Sequence, residues 1–328
     1  MNRAGSTYRS RTGAARSEIV VAFGLVVVVA GLVLPTVQAA RADAARVQCR
    51  DNLRQLGTGF LEFEKVQNGF PARRLKNPKS GWGAELLPHI GQAELAKAYS
   101  FRYDWFDPVN KATSETVVKA FVCPASPKDR ALTCSDVASP GSRNTDRTTK
   151  FSAKGAPSDF VAANGFKVPA TGYGINWPYP TGAADNNQHQ AMIDDAHLPV
   201  NRITDGLSCT VLVIEQAGRP QKWVNGTRGR GAGDDEANGN ARGLWAGYGA
   251  IPFHPVDRAD GTSPGRGDTT DCVVNCNNQH SVYGFHAGGA HVLFCDGSVR
   301  FVGENLDGRT FALLVTRDDG EALGTNDY

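Results

Sequence analysis

The run Ile19–Leu34, IVVAFGLVVVVAGLVL, carries no charge and no strongly polar side chain, and the charge-free stretch continues to Ala40, just before Arg41. Coiled as a helix, Ile19–Ala40 rises about 33 Å at ~1.5 Å per residue, enough to cross a hydrocarbon core of about 30 Å. Arg3, Arg9, Arg11 and Arg16 precede it, and no acidic residue lies among residues 1–16. The positive-inside rule then puts the N-terminus in the cytoplasm and the remaining chain outside. Two other readings stay open. A core helix can be this apolar. A cleaved secretory signal, cut after Ala39 in Pro35-Thr36-Val37-Gln38-Ala39, would release a soluble body.

Beyond Pro35, the residues Cys49, Leu53, Leu56, Phe60 and Phe63 repeat at spacings of 4, 3, 4 and 3. That is one apolar stripe on an amphipathic helix. Asn68-Gly69-Phe70-Pro71 ends it. The stripe is too short for a sustained coiled coil, so it is expected to pack on a sheet. Residues ~14 to 66 therefore read as one long helix, half in lipid and half against the body.

Glu18 sits at the edge of the apolar run, where a carboxylate is costly without a partner. Together with RSRTG and AARSEIVVAFGLVVVVAGLVLP, it makes the segment resemble the prepilin-type N-terminus of type IV pilins and type II secretion pseudopilins. The resemblance implies cleavage by a prepilin peptidase between Gly13 and Ala14, with Glu18 as the fifth mature residue and Pro35 as the twenty-second. It also implies that the new α-amino group of one subunit neutralises Glu18 of its neighbour during assembly. Ala14 and Arg16 depart from the Phe and the apolar residue that the family prefers at those positions.

A second resemblance spans nearly the whole chain. LPTVQAARADAARVQCRDNLRQLG, NGFP, GWGAELLPHIGQAELAKAY, FVCP, DFVAANG and ITDGLSCTVLVIEQAGRP are similar to a large bacterial family of uncharacterised pilin-like proteins. That family closes on a His, nine residues and Asp-Gly, matched here by His286, Asp296 and Gly297. The implied fold is α+β and pilin-like, with the long helix packed on an antiparallel sheet that carries large loop-rich β insertions. The implied organisation is a leader at 1–13, a transmembrane helix at 14–40, its amphipathic continuation at 41–67, and an exported body at 68–328 ending in a hairpin at 290–302. The implied place is the bacterial inner membrane, single-pass, with the body in the periplasm or at the cell surface. Its partners would be the membrane, the peptidase and other pilin-like subunits or a secretion assembly.

Composition agrees with an α+β body. At 328 residues the chain suggests about two domains, or one large domain with insertions. Hydrophobic residues at 41% against charged residues at 21% exclude global disorder, while 37 Gly and 17 Pro favour a turn-rich β body. A net charge of +2 gives no electrostatic footprint for nucleic acid. Within the body, VVKAFVCP reads as a strand, AELLPHIGQAELAKAYSF as a short helix and CTVLVIE as a buried strand. Asp296-Gly297 reads as a two-residue hairpin turn that places Phe294 opposite Val299 and Val292 opposite Phe301, with these four on one face.

Chemistry is sparse. No P-loop, dinucleotide fingerprint or nucleophile elbow occurs, so no catalytic residue is named and no enzyme is expected. His280, His286, His291 and Asp296 lack zinc-site spacing. His286 is expected to bond a backbone group and fix the loop before the hairpin, with a ligand or recognition role as the alternative. Asp234, Glu236, Asn238 and Asn240 alternate like half a calcium loop, but Trp245 stands where its bidentate Glu belongs. They are the only cofactor candidates. Of seven Cys, Cys123 with Cys134, Cys272 with Cys276, or Cys49 with Cys123 could pair, and Cys209 and Cys295 read as buried thiols. The function this supports is a non-enzymatic anchored subunit of a secretion or surface assembly. The alternative is an anchored module that takes saccharide or peptide in an aromatic groove of Trp177, Tyr179, Trp223, Trp245 and Tyr248.

Overall fold

A computed structural model describes residues 15–128, 130, 133–137, 150–165, 189–229, 242–247, 253, 256–261, 272–321 and 323. Within these, side chains at 15–19, 26, 28–30, 134–137, 150 and 151 lie outside the description. The chain is mixed α+β, with antiparallel sheets and a long N-terminal helix. Two compact units divide inside that helix, between Ala44 and Ala45.

Helix α1 spans Ala15–Gln67 and contains Pro35. Pro35 has no N–H to donate, and beside it the Thr36 hydroxyl donates to the Val33 carbonyl at 2.8 Å. In the first unit the helix leaves large apolar side chains uncovered; Val21, Phe23 and Leu32 are about 70% exposed. Among the described residues no helix is long and apolar enough to cross a membrane, and parts of Ile19–Leu34 fall outside the described side chains.

In the second unit the expected stripe is core: Cys49, Leu53, Leu56 and Phe60 are fully buried and Phe63 nearly so. The helix ends where NGFP requires. Asn68 takes φ +56 and donates to the Glu64 carbonyl at 2.7 Å, a left-handed cap. Two of the four glycines inside α1, Gly57 and Gly59, cost helix propensity but let it approach its neighbours. A Cβ on Gly57 would lie 2.8 Å from Leu293 Cδ1 and 3.2 Å from the Gly297 carbonyl; one on Gly59 would lie 2.6 Å from Ile90 Cγ2.

Short elements follow: strands β1 (Arg74–Lys76) and β2 (Lys79–Gly81), and helices α2 (Trp82–Leu86), α3 (Ala93–Ala98) and α4 (Lys111–Ser114). Next come the hairpin β3 (Thr133–Val137) and β4 (Lys150–Lys154), then β5 (Phe160–Ala162), β6 (Val211–Glu215), and the two-residue strands β7 (Trp223–Val224) and β8 (Thr227–Arg228). The chain closes with β9 (Gly289–Phe294), β10 (Val299–Gly303) and helix α5 (Gly308–Val315). The central sheet has the order β10-β9-β6-β5, antiparallel throughout.

Both faces of this sheet are covered. One core gathers the α1 stripe with Trp82, Phe121, Val213, Trp245 and Leu293. The other gathers Val211, Ile214, Val292, Phe294 and Val302 with Phe311, Leu314 and Val315, three residues of α5, a helix that Asp307 caps by accepting from the Thr310 N–H at 2.9 Å. With both faces buried, β6 is apolar without alternation until Glu215.

Two expectations are corrected. VVKAFVCP is not a strand: Lys119–Phe121 forms a 3-10 turn, and Asn52 of α1 donates to the carbonyls of Lys119 and Val122, the role a strand partner would have filled. The closing hairpin is displaced by one residue. Phe294 donates to the Ser298 carbonyl and Gly297 to the Phe294 carbonyl, so the loop holds Cys295, Asp296 and Gly297, with Gly297 at φ +84. That is the three-residue hairpin loop with a left-handed glycine. Leu293 therefore pairs with Val299 and His291 with Phe301. A one-residue slip exchanges faces, so Val292 and Phe294 join Val302 rather than Val299 and Phe301.

Candidate functional site

A cluster of buried polar side chains gathers around Glu215, the last residue of β6, whose side chain is fully buried. From α1, the Cys49 thiol donates to Glu215 Oε1 at 3.4 Å. From the loop before β9, His286 Nε2 lies 3.3 Å from the same oxygen and 3.3 Å from Cys123 Sγ. The ligating atoms of Cys49, Cys123, Glu215 and His286 all lie within 4.8 Å of one another. The second carboxylate oxygen, Oε2, accepts from the His291 backbone N–H at 2.9 Å and faces His291 Nδ1 at 3.3 Å.

Each member is held by the fold. Cys49 opens the buried stripe of α1. Cys123 donates its backbone N–H to Asp159 Oδ2 at 2.9 Å. Asp159, fully buried, also accepts from the Gly218 N–H and pairs with the Arg130 guanidinium, so DFVAANG supports the segments on either side of the cluster. His286 is fixed by a bridge to Gly289, and the His286 and His291 rings meet edge to face with centroids 5.1 Å apart. Gly284 packs closely on the carboxylate: a Cβ there would lie 3.1 Å from Glu215 Oε2.

Burial alone would push the Glu215 carboxyl up, but the hydrogen bonds from His286 and His291 outweigh it and hold the pKa down at about 2. For His286, burial acts to lower the pKa, and the neighbouring Cys123 and Glu215 raise it to about 10. Burial drives the Cys49 thiol strongly up, reinforced by Cys123 and Glu215. The site is thus an anion facing cationic and thiol groups in an apolar shell. No water-facing nucleophile and base meet there. Two thiols, an imidazole and a carboxylate converging this closely form a donor set suited to ligation.

Of the residues singled out from sequence, His286 enters the cluster, with side-chain partners in place of the expected backbone one. Asp296 and Gly297 form the hairpin turn instead: Asp296 accepts from the Ser298 N–H at 2.8 Å, and a Cβ on Gly297 would meet Leu61 of α1 at 2.8 Å. His280 accompanies neither; its backbone N–H donates to Asn277. Cys272 and Cys276 form a disulfide. Cys49 and Cys123 are brought together as free thiols; Cys295 is buried as expected, but Cys209, just before β6, is only partly buried. Gly13, Ala14, Asp234, Glu236, Asn238, Asn240, Trp177, Tyr179 and Tyr248 lie outside the described residues, as does the Glu18 side chain. Trp245 is core, stacked on Phe121 and donating to the Thr116 carbonyl, and Trp223 packs edge-on against Phe285, so these two do not line one groove.

Glu215 was missed from sequence, and with it the link between His286 and the Cys49–Cys123 pair. The usable signal is an acid ending an otherwise apolar buried strand, beside two Cys in the family-like motifs.

The family model SBP_bac_10, described as a protein of unknown function (DUF1559), matches residues 38–309. No curated protein and no solved structure matches the chain.

Proposed function

The chain belongs to the DUF1559 family of proteins of unknown function, and from that premise we propose that it is a membrane-anchored, pilin-like subunit that works by assembly rather than catalysis. One observation carries the reading. Helix α1 runs unbroken from Ala15 to Gln67, with its apolar face buried in the body from Cys49 on and Val20, Val21, Phe23, Leu25, Val27, Leu32, Val33 and Leu34 left bare before it. A soluble monomer rarely exposes so many large apolar side chains on one segment, and such patches mark membrane or subunit contacts. The basic residues before it and the charge-free sequence Ile19–Leu34 support insertion with the N-terminus in the cytoplasm. The body then lies outside the inner membrane. The leader would end at Gly13, and the new amino group at Ala14 would neutralise Glu18 of a neighbouring subunit.

The test is a Glu18→Ala variant in cells, read by cross-linking between full-length subunits in the membrane. Loss of cross-linked species at unchanged body stability is expected. Wild-type cross-linking in that variant would remove the pairing role.

A second reading has one observation in its favour. A cleft of about 480 Å³, lined by residues including Tyr283, Phe285, His286, Asn225, Arg258 and Glu304, opens beside the buried cluster. Its mixture of aromatic and polar walls suits a saccharide or peptide. Thermal stabilisation of the protein by a glycan or peptide panel would favour this reading.

A further inference from the structure

Two thiols, a carboxylate and an imidazole from four distant parts of the chain converge in the main core. The thiol–carboxylate pair closes over 166 residues and the thiol–imidazole pair over 163. Burying such a set together costs more than burying apolar side chains of equal volume, unless something binds them all.

The geometry points to a structural zinc-type site in which Cys49 Sγ, Cys123 Sγ, Glu215 Oε1 and His286 Nε2 coordinate one divalent ion. A tetrahedral ion takes sulfur at about 2.3 Å and nitrogen or oxygen at about 2.0–2.2 Å, which puts neighbouring donor atoms about 3.3–3.8 Å apart. Three of the six edges lie at this spacing, 3.4 Å from Cys49 to Glu215, 3.3 Å from Glu215 to His286 and 3.3 Å from His286 to Cys123, and all six are within 4.8 Å, so a small inward shift of the thiols completes the shell. Two soft sulfurs with an imidazole and a carboxylate select zinc over magnesium or calcium, which require oxygen ligands.

The surroundings match such a site. Glu215 Oε2 is tied to His291 through its backbone N–H and faces its ring, which aims Oε1 inward. The Cys123 backbone is held by Asp159, and the turn just before it is held by Asn52, three residues after Cys49 on α1. Outer partners of this kind orient ligands and raise affinity. All four ligands come from the protein and all are buried, so no open position remains for substrate. The ion would join α1 to the sheet and to both flanking loops. It also gives the motif histidine, His286, a definite role. This assignment stands whether or not α1 is anchored in a membrane.

A Cys49–Cys123 disulfide is the competing use of the same sulfurs, and one experiment separates the two. The full chain is purified without chelator or added metal, its metal content is measured by mass spectrometry, and its native cysteine state is mapped by alkylation and peptide mass. The stripped and reduced chain is then titrated with Co²⁺. One zinc per chain, free Cys49 and Cys123 after stripping, and tetrahedral visible bands with a thiolate-to-cobalt charge-transfer band are expected. Cys123→Ser should weaken the charge-transfer band, and His291→Ala should keep the stoichiometry but lose about 10–100-fold in affinity. A metal-free chain that gives no such bands with Co²⁺, or a Cys49–Cys123 disulfide in the freshly isolated protein, overturns the assignment. The wild-type spectrum decides this even where a variant fails to fold.

Discussion

Helix α1 makes a quantitative demand on its two parts. Phe60 is fully buried, stacked on Trp82 with ring centroids 5.2 Å apart, and set edge-on to Phe70 at 6.3 Å. Truncating a buried Phe to Ala costs about 3–5 kcal/mol, because transfer and cavity terms add. Phe60→Leu keeps most of the apolar volume and forfeits chiefly the two ring pairs, about 1–3 kcal/mol together at ~0.5–1.5 each. At roughly 2–4 °C per kcal/mol for a large domain, Phe60→Ala should lower the melting temperature by about 10 °C, and Phe60→Leu by a third to a half of that. Leu32→Ala, on the bare part of the same helix at 68% exposure, should leave the melting temperature of the body within about 2 °C, since exposed truncations stay within ±0.5 kcal/mol. Thermal denaturation of the full chain in detergent, followed by Trp fluorescence, measures all three. A Phe60→Ala loss under about 1 kcal/mol, or equal losses for Phe60→Ala and Leu32→Ala, would refute a helix docked from Cys49 on and bare before it.

Other consequences are narrower. Asp194 receives Arg73 and Arg74 and pairs with Lys76; burial acts to raise its pKa, but these cations hold it below the usual carboxylate value. A depressed folded pKa contributes stability that is present above the unfolded value of about 3.9 and lost as pH falls through the folded one. Urea midpoints should therefore fall below about pH 4 in wild type, and Asp194→Asn should be less stable at pH 7 and flatter through that acid window. Gly297→Ala forces a Cβ into φ +84 and against Leu61, so a loss of about 1–3 kcal/mol is expected by chemical denaturation, while Gly303→Ala, with nothing nearer than 3.9 Å, should be tolerated. Reducing Cys272–Cys276, a closure over a separation of 4, should cost about 2 kcal/mol, and peptide mapping should find both thiols unreactive until reductant is added.

The sequence was legible wherever periodicity or turn chemistry acts locally. The α1 stripe and its stop at Asn68 follow from a 3.6-residue period and a left-handed cap, and both are present. The hairpin was legible in existence but not in register. Asp-Gly suits a two-residue turn, yet Gly297 closes a three-residue loop against Leu61 and Gly57 of α1, a tertiary constraint that no local pattern carries. Lys119–Phe121 failed as a strand for the same reason, since Asn52 lies far away in sequence. The cluster around Glu215 was hidden more deeply. Its members are spread from α1 to β9, and although His286 and the Cys49–Cys123 pair stand out singly, nothing local ties them to Glu215. Only the fold reveals that Cys49, Cys123 and His286 share one carboxylate.

The account turns on whether the helix bearing Ile19–Leu34 stays with the mature protein. Intact mass of the chain recovered from fractionated cells reads this directly. A membrane-bound chain that lacks Met1 to Gly13 and begins at Ala14 is the predicted result. A chain that starts beyond Ala39 and partitions with the soluble fraction would contradict it.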